Sequence, residues 1–334
     1  MKRDKSIDLL KGFLTITMIL AHIIQFFPLN KLTASISNYI NLTAFSGFMF
    51  CFGYVSYITY TKKTNKNIYN KNLLKHFCKT IAVFYICAIA YTLLISNNFT
   101  YKELLNILIL QKVPGYCEFL LSFSFLYILI YIFKDKLFQA NNKLLIFLII
   151  LSLLTTQINY EKININLIGI FIGTTKFNCF PIIQYLFYFI GGIYFAKNKI
   201  VFNKKIYAIT LISTLSFISY FIITKRMPNR FPPSILWIIG GAEFIYLYYI
   251  SFKKIKSNNK LISTIEKVGK NTLSYLTLSN IIIFLTYNIL KKYNTNLNTK
   301  KETIIIYILL IILCIVIPYL YNHIIKKTKQ KPDN

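Results

Sequence analysis

Two residues that could take part in a reaction, Lys11 and His22, lie eleven positions apart in a segment that is otherwise apolar enough to cross a membrane. Eleven residues make close to three turns of an α-helix, so both side chains share one face and lie about 16 Å apart along its axis. An ammonium group stabilises negative charge, and an imidazole takes up and releases protons near neutral pH. Because titratable groups inside membrane spans usually serve function, this pair is the strongest candidate for chemistry in the chain.

The same helical face continues in both directions as a polar stripe. Alternating steps of three and four residues along it give Asp8, Lys11, Thr15, Met18, His22 and Gln25. A helix surrounded by lipid would not place its most polar residues in one row, so we expect this face to line the protein interior or a wet cavity. Asp8 would stabilise the buried charge of Lys11. The alternative is that Asp8 and Lys11 snorkel at the interface, while His22 only hydrogen-bonds a neighbouring helix.

The rest of the chain predicts an all-α, polytopic integral membrane protein. Of its 334 residues, 55% are hydrophobic and 15% are charged, and the mean hydropathy of +0.53 lies outside the range of soluble domains. We predict about ten spans, from stretches long enough to cross or nearly cross the hydrocarbon core. They are 7–27, 38–60, 77–96, 117–133, 143–157, 180–196, 206–224, 234–252, 271–290 and 303–323. Two short apolar stretches, 104–110 and 165–173, could be re-entrant or interfacial, so nine to eleven spans fit the sequence.

The net charge of +29 would suggest a nucleic-acid partner in a soluble protein, but here the basic residues indicate topology. Most of the 39 Lys and Arg residues fall in the two termini and in alternate loops. Because positive residues are retained on the cytoplasmic side, we expect both termini in the cytoplasm and the protein in the plasma membrane, with no nucleic-acid partner. The simplest division is one integral domain, 1–325, and a basic cytoplasmic tail, 326–334.

The cysteines and the other histidines do not predict a metal site. The six cysteines show no CxxC spacing, and His76 and His323 each lie near a span end without a spaced partner. The shortage of Arg relative to Lys, together with abundant Asn and Ile, hints at an AT-rich, bacterial genome.

Several motifs of the chain resemble the integral membrane acyltransferase 3 family. Its members typically begin with a basic residue, followed by an aspartate, an Arg or Lys before a glycine, and a histidine after ten intervening residues. The corresponding segments here are Lys2-Arg3, Asp8 through Lys11-Gly12 to His22, and Phe45-Ser46-Gly47-Phe48 in the second span. Two weaker similarities are Tyr188–Lys197, which contains Gly191-Gly192, and Val268–Leu276, which contains Gly269-Lys270. Ten spans with both ends inside is also the family plan.

This resemblance implies transfer of an acyl group, usually acetyl, from cytoplasmic acyl-CoA to a hydroxyl or amine of an envelope polysaccharide or lipid-linked sugar. It implies an O-acetyltransferase without a bound cofactor. His22 would accept the proton of the attacking group or briefly carry the acyl group. Lys11 would meet a CoA phosphate or the developing oxyanion. Lys75 and Lys79 represent the basic pair of the third span and would bind the donor, or they belong only to a positively charged cytoplasmic loop.

The chain departs from the family pattern at two positions. Lys11 stands where most members have Arg, and Asn280 lies where a histidine often follows the late glycine.

Two acidic residues need an explanation. Glu118 could orient His22 or act as a second base, or it could simply favour the start of a helix. Glu243, near the middle of the eighth span, must be protonated or have a partner, for which Lys or His is the expected type.

Two other classes of protein remain open on the sequence. A carrier or flippase for a lipid-linked sugar or small anion would use the polar stripe as a translocation path, and a non-catalytic membrane subunit would need no chemistry. A carrier has no need for a Lys and a His at this spacing beside a lysine-rich loop, and no paired halves stand out in the chain. We therefore favour the acyltransferase.

Overall fold

The computed structural model confirms the predicted all-α membrane architecture. It describes residues 4–62, 66–96, 99–163, 165–257, 259–293 and 299–328. These residues form α-helices and one 3-10 turn, Tyr160–Lys162, without any strand. The helices are α1 (Lys5–Phe26), α2 (Lys31–Lys62), α3 (Lys66–Leu94), α4 (Tyr101–Leu108), α5 (Glu118–Leu137), α6 (Asn142–Thr155), α7 (Asn166–Ile172), α8 (Ile182–Lys197), α9 (Lys204–Thr224), α10 (Ile235–Gly240), α11 (Ala242–Lys254), α12 (Lys260–Lys270), α13 (Thr272–Lys292) and α14 (Lys300–Thr328).

Each of the ten predicted spans contains helix. Seven helical stretches of the described chain are long and apolar enough to cross a membrane: α1, α2, α3, α9, α10 with α11, α13 and α14. Helices α6 and α8 are apolar but shorter, and α4 and α7 coincide with the two short apolar stretches. The chain is therefore a polytopic membrane protein, while ten spans and cytoplasmic termini stay predictions.

Helix α1 lies at the centre of the bundle, in contact with α2, α11, α12, α13 and α14. It begins at Asp4, whose carboxylate accepts the backbone N–H of Ser6 at 3.0 Å, as expected for an N-cap. Because α1 is enclosed on nearly every side, its polar stripe lies within the protein, as predicted. Asp8, Thr15 and His22 are all at most 5% exposed.

Residues 260–270, which lie between two predicted spans, form the additional helix α12 against the first turns of α1. A Cβ on Gly12 would lie 1.9 Å from the carbonyl oxygen of Ile265, and a Cβ on Gly269 would lie 1.8 Å from that of Asp8. Glycine at both positions lets the two backbones touch. This contact sets the depth and rotation of α1 relative to α12.

Helices α2 and α8 also pack through glycines that let their backbones touch. A Cβ on Gly53 would lie 1.8 Å from the carbonyl oxygen of Phe189, and a Cβ on Gly192 would lie 2.0 Å from that of Phe50. The glycine-bearing segment around Gly192 is thus explained by close helix packing.

Cross-contacts hold both ends of the bundle. Where α1 begins, the Nζ of Lys253 lies 2.6 Å from the Oδ2 of Asp4; we call this the Asp4 end. Where α1 terminates, the Tyr307 hydroxyl donates to the carbonyl oxygen of Phe27 at 2.5 Å; we call this the Phe27 end.

The two termini are only partly described. Helix α14 continues to Thr328, so it runs into the start of the predicted tail, 326–334. Residues 329–334, and the basic pair Lys2-Arg3, lie outside the described residues.

Candidate active site

His22 is held by a hydrogen bond to the side-chain amide oxygen of Asn280, on the distant helix α13. Its Nδ1 lies 2.8 Å from the Oδ1 of Asn280, and the Nδ2 of Asn280 donates to the carbonyl oxygen of Tyr116 at 2.9 Å. Because a backbone carbonyl can only accept, the contact to Tyr116 fixes which way the amide points. The Nδ1 of His22 therefore carries the hydrogen, and its Nε2 is the basic nitrogen.

The Tyr116 ring, itself part of an aromatic cluster, contacts this histidine. The Tyr116 ring meets the imidazole edge-on, with 5.0 Å between ring centres, and it also contacts Phe26 at 4.8 Å and Phe284 at 6.0 Å. His22 is 5% exposed and Asn280 is 1% exposed. Few water molecules can compete for the histidine in such surroundings, which strengthens its polar interactions.

The backbone of Tyr116 adopts a conformation that non-glycine residues rarely take. Its φ of 67° lies in the left-handed region, which costs an L-residue about 1 kcal/mol. The hydrogen bond from Asn280 and the ring contacts keep it there. Strain of this kind next to a titratable group is typical of a functional site.

The sequence did not predict a role for Asn280, because this position stood out only for lacking the histidine of related proteins. The structure shows that the asparagine itself contacts His22. The one available signal was a polar side chain within the apolar sequence of α13, and spacing alone could not pair it with His22.

Asp8 and Lys11 form the expected ion pair. Their Oδ1 and Nζ atoms lie 3.2 Å apart, with 3% of the Asp8 side chain and 18% of the Lys11 side chain exposed. Lys11 lies about 16 Å from His22 along the helix, and its role toward a CoA phosphate or an oxyanion stays a prediction. Its position near the Asp4 end suits an anionic part of a substrate that is remote from the reacting group.

A small cleft lies beside Met18, the stripe residue between Lys11 and His22. Its aromatic wall includes Phe45 and Phe180, and Asn41 and Arg230 supply polar atoms. The Phe45 and Phe180 rings stack with 4.2 Å between their centres. Lys11 and His22 do not line this cleft.

Glu118 is the first residue of α5 and is buried. Its carboxylate does not bond the Nδ1 of His22, which Asn280 occupies. The Oε2 of Glu118 is buried without a hydrogen-bond partner. Arg230 is near enough for electrostatic attraction, although no ion pair within 4.0 Å joins the two. Orientation of His22 therefore falls to Asn280, and a role for Glu118 as a second base stays a prediction.

Glu243 has a different partner from the one we expected. The hydroxyl of Thr210 on α9 donates to its Oε2, and its Oε1 is buried without a partner. The partner is a threonine and not the Lys or His we expected, because the carboxyl group lies where α11 packs on α9 and Thr210 faces it. The alternative that Glu243 is protonated stays a prediction. The eighth span is also divided at Gly241, where α10 and α11 meet.

Lys75 and Lys79 lie on α3 and are both exposed. Neither belongs to the chain of hydrogen bonds from His22 through Asn280 to Tyr116. His76, in the same basic run, stacks on the Tyr127 ring with 5.6 Å between ring centres. The described residues contain no group of three or more His, Cys, Asp or Glu that could hold a metal ion.

Fold and site together define a helical membrane protein with an enclosed histidine whose tautomer is fixed. The sequence matches the acyltransferase 3 family, described as an acyltransferase domain, over residues 4–323. The chain therefore belongs to that family and is a membrane acyltransferase. Comparisons with curated proteins and with solved structures gave no match.

Proposed function

We propose that this protein is an O-acetyltransferase of the bacterial plasma membrane, with both termini in the cytoplasm. It takes an acetyl group from cytoplasmic acetyl-CoA and transfers it to a hydroxyl of an envelope polysaccharide or lipid-linked sugar. The observation that carries this proposal is the bond between His22 and Asn280, because it leaves the Nε2 of His22 as the proton acceptor.

His22 has one proton to move in this reaction. Its Nε2 takes the proton of the acceptor hydroxyl while the hydroxyl oxygen attacks the thioester carbonyl carbon. The new C–O bond forms, the C–S bond breaks, and the departing sulfur takes the proton from His22. In a two-step form, Nε2 attacks the thioester carbonyl carbon, the C–S bond breaks as the N–C bond forms, and CoA leaves as the thiolate. The acceptor hydroxyl oxygen then attacks the acyl carbon, the C–N bond breaks, and the hydroxyl proton passes to the freed Nε2 and on to the thiolate.

The polar stripe supports a donor that reaches in from the Asp4 end. The span of about 16 Å between Lys11 and His22 is comparable to an extended pantetheine arm. A CoA phosphate at Lys11 would therefore place the thioester near His22. The ion pair with Asp8 holds the ammonium in position for that contact. Lys75 and Lys79 would attract the phosphates before binding.

The test is release of CoA from labelled acetyl-CoA by detergent-purified protein mixed with envelope glycolipid. We expect His22→Ala to lower the rate about 100-fold to 10,000-fold, as for loss of a general base. His323→Ala is the matched control, because His323 is exposed on α14. Retained activity in a His22→Ala protein that elutes as the wild type does would remove His22 from the chemistry. Binding without thioester cleavage by the wild type would favour the carrier.

A further inference from the structure

Arg230 is a cation without a polar partner among the described residues. It lies between α9 and α10, and its Nε is buried without a hydrogen-bond partner. The guanidinium carbon lies 4.6 Å from the ring centre of Phe231 and 5.4 Å from that of Phe180. These rings hold the guanidinium by cation–π contact and leave its N–H groups for another molecule.

The position of Arg230 connects it with the histidine site. It lines the cleft beside Met18, and Met18 lies about one helical turn from His22. Its charge is near enough to act electrostatically on His22, Tyr116 and Glu118. A group bound at Arg230 would thus lie beside the reacting centre.

The chemistry of the cleft selects the kind of group. A planar guanidinium matches a carboxylate or a phosphate with two parallel hydrogen bonds. Glu118 does not supply such a partner, since no ion pair joins it to Arg230. The stacked rings of Phe45 and Phe180 offer an apolar wall, and Asn41 offers an amide. These features suit a molecule with a flat apolar face, hydrogen-bonding groups and one negative charge.

We propose that Arg230 binds a carboxylate or phosphate of the acyl acceptor, and that the acceptor is therefore an acidic sugar or a phosphate-linked glycolipid rather than a neutral glycan. This inference rests on the proposed function. Arg230 becomes a specificity-determining residue, and the cleft beside Met18 becomes the acceptor subsite.

The test measures binding to purified protein in nanodiscs of phosphatidylcholine alone. Three probes are used: glucuronic acid for a carboxylate, a prenyl phosphate for a phosphate, and glucose as the neutral sugar. We expect at least one anionic probe to bind Arg230→Gln about 10-fold to 100-fold more weakly than wild type, as for loss of a charged hydrogen bond. Arg230→Lys, which keeps the charge without the planar fork, should bind with intermediate affinity. Arg226→Gln is the matched control, because Arg226 is exposed four positions earlier.

Two binding results would overturn the inference: equal affinity of wild type and Arg230→Gln for both anionic probes, or no preference of wild type for either anion over glucose. A lower kcat for Arg230→Gln with unchanged anion binding would overturn it too, because Arg230 would then act on the reacting oxyanion.

The acetyl-CoA assay separates this inference from the proposed function. If His22→Ala abolishes transfer while Arg230→Gln binds anions normally, acyl transfer stands and the subsite fails. If wild type does not cleave acetyl-CoA while Arg230→Gln loses anion binding, the anion site stands and its assignment to an acyl acceptor fails.

Discussion

The Oδ1 of Asn280 lies 2.8 Å from the Nδ1 of His22. The two residues are 258 positions apart in the sequence, and their hydrogen bond joins α1 to α13. The same amide donates to the backbone of Tyr116, so α1, α13 and the loop before α5 meet at one side chain. A histidine that accepts a proton at one defined nitrogen needs a fixed tautomer, and the amide of Asn280 fixes the tautomer of His22.

Asn280→Leu should lower kcat for acetyl transfer about 10-fold to 100-fold. The substitution leaves the Nδ1 of His22 buried without a partner, which costs about 1–3 kcal/mol of stability. It also allows the imidazole to adopt either tautomer. The measurement is kcat with labelled acetyl-CoA. Asn288→Leu is the control, because Asn288 lies on the same helix and donates its amide to the carbonyl oxygen of Leu94, far from His22. An equal loss of activity in both variants would argue that α13 packing, not His22, is affected.

Gly269→Ala should destabilise the protein by about 1–3 kcal/mol, as overpacking does. The new methyl group would lie 1.8 Å from the carbonyl oxygen of Asp8, so α12 must move away from α1. Thermal unfolding in detergent measures the effect. Gly191→Ala serves for comparison, because a Cβ at Gly191 meets no atom within 4 Å and alanine favours helix. Equal Tm values for Gly269→Ala and wild type would contradict the close contact.

Asp4→Asn should lower stability at neutral pH by about 1 kcal/mol, because it removes a partly exposed ion pair. Burial raises the pKa of the Asp4 carboxyl, but hydrogen bonds from Lys253, Ser6 and Tyr54 outweigh it and hold the pKa below the ordinary value of 3.8. A carboxyl with a depressed pKa stabilises the fold above its unfolded pKa and loses this contribution as the pH falls through the folded pKa.

The difference in Tm between wild type and Asp4→Asn should therefore be present at pH 7 and shrink below about pH 4. A difference that stays constant down to pH 2 would show that the charge of Asp4 is not what stabilises the Asp4 end.

Lys11→Gln should raise the KM for acetyl-CoA about tenfold and change kcat much less. In the proposed function the ammonium, about 16 Å from His22 along the helix, contacts the donor away from the reacting carbon. Loss of one charged contact weakens binding by about 1.5 kcal/mol. Lys11→Arg should stay close to wild type, since a guanidinium can also pair with Asp8.

Lys5→Gln is the control for this prediction, because it removes a charge at the same end, where Lys5 donates to the carbonyl oxygen of Ser257. A fall in kcat without a change in KM for Lys11→Gln would place Lys11 at the reacting centre.

The sequence by itself determined what depends on neighbours along one helix. Apolar length predicted the membrane class and the position of each long helix. The three-and-four spacing predicted that Asp8 and Lys11 pair and that the stripe with His22 faces inward, since side chains on one helical face have a fixed spacing. The motif around Lys11 and His22 also led to the correct family.

Only the tertiary structure decided which groups meet across helices. The bond of Asn280 to His22, the pairing of Glu243 with Thr210 and the position of Arg230 beside Met18 depend on the depth and rotation of each helix in the bundle. The hydrophobic length of a helix leaves its depth and its rotation in a membrane free. Backbone contacts such as that between Gly12 and α12 set the depth and rotation, and these contacts form only when the helices pack.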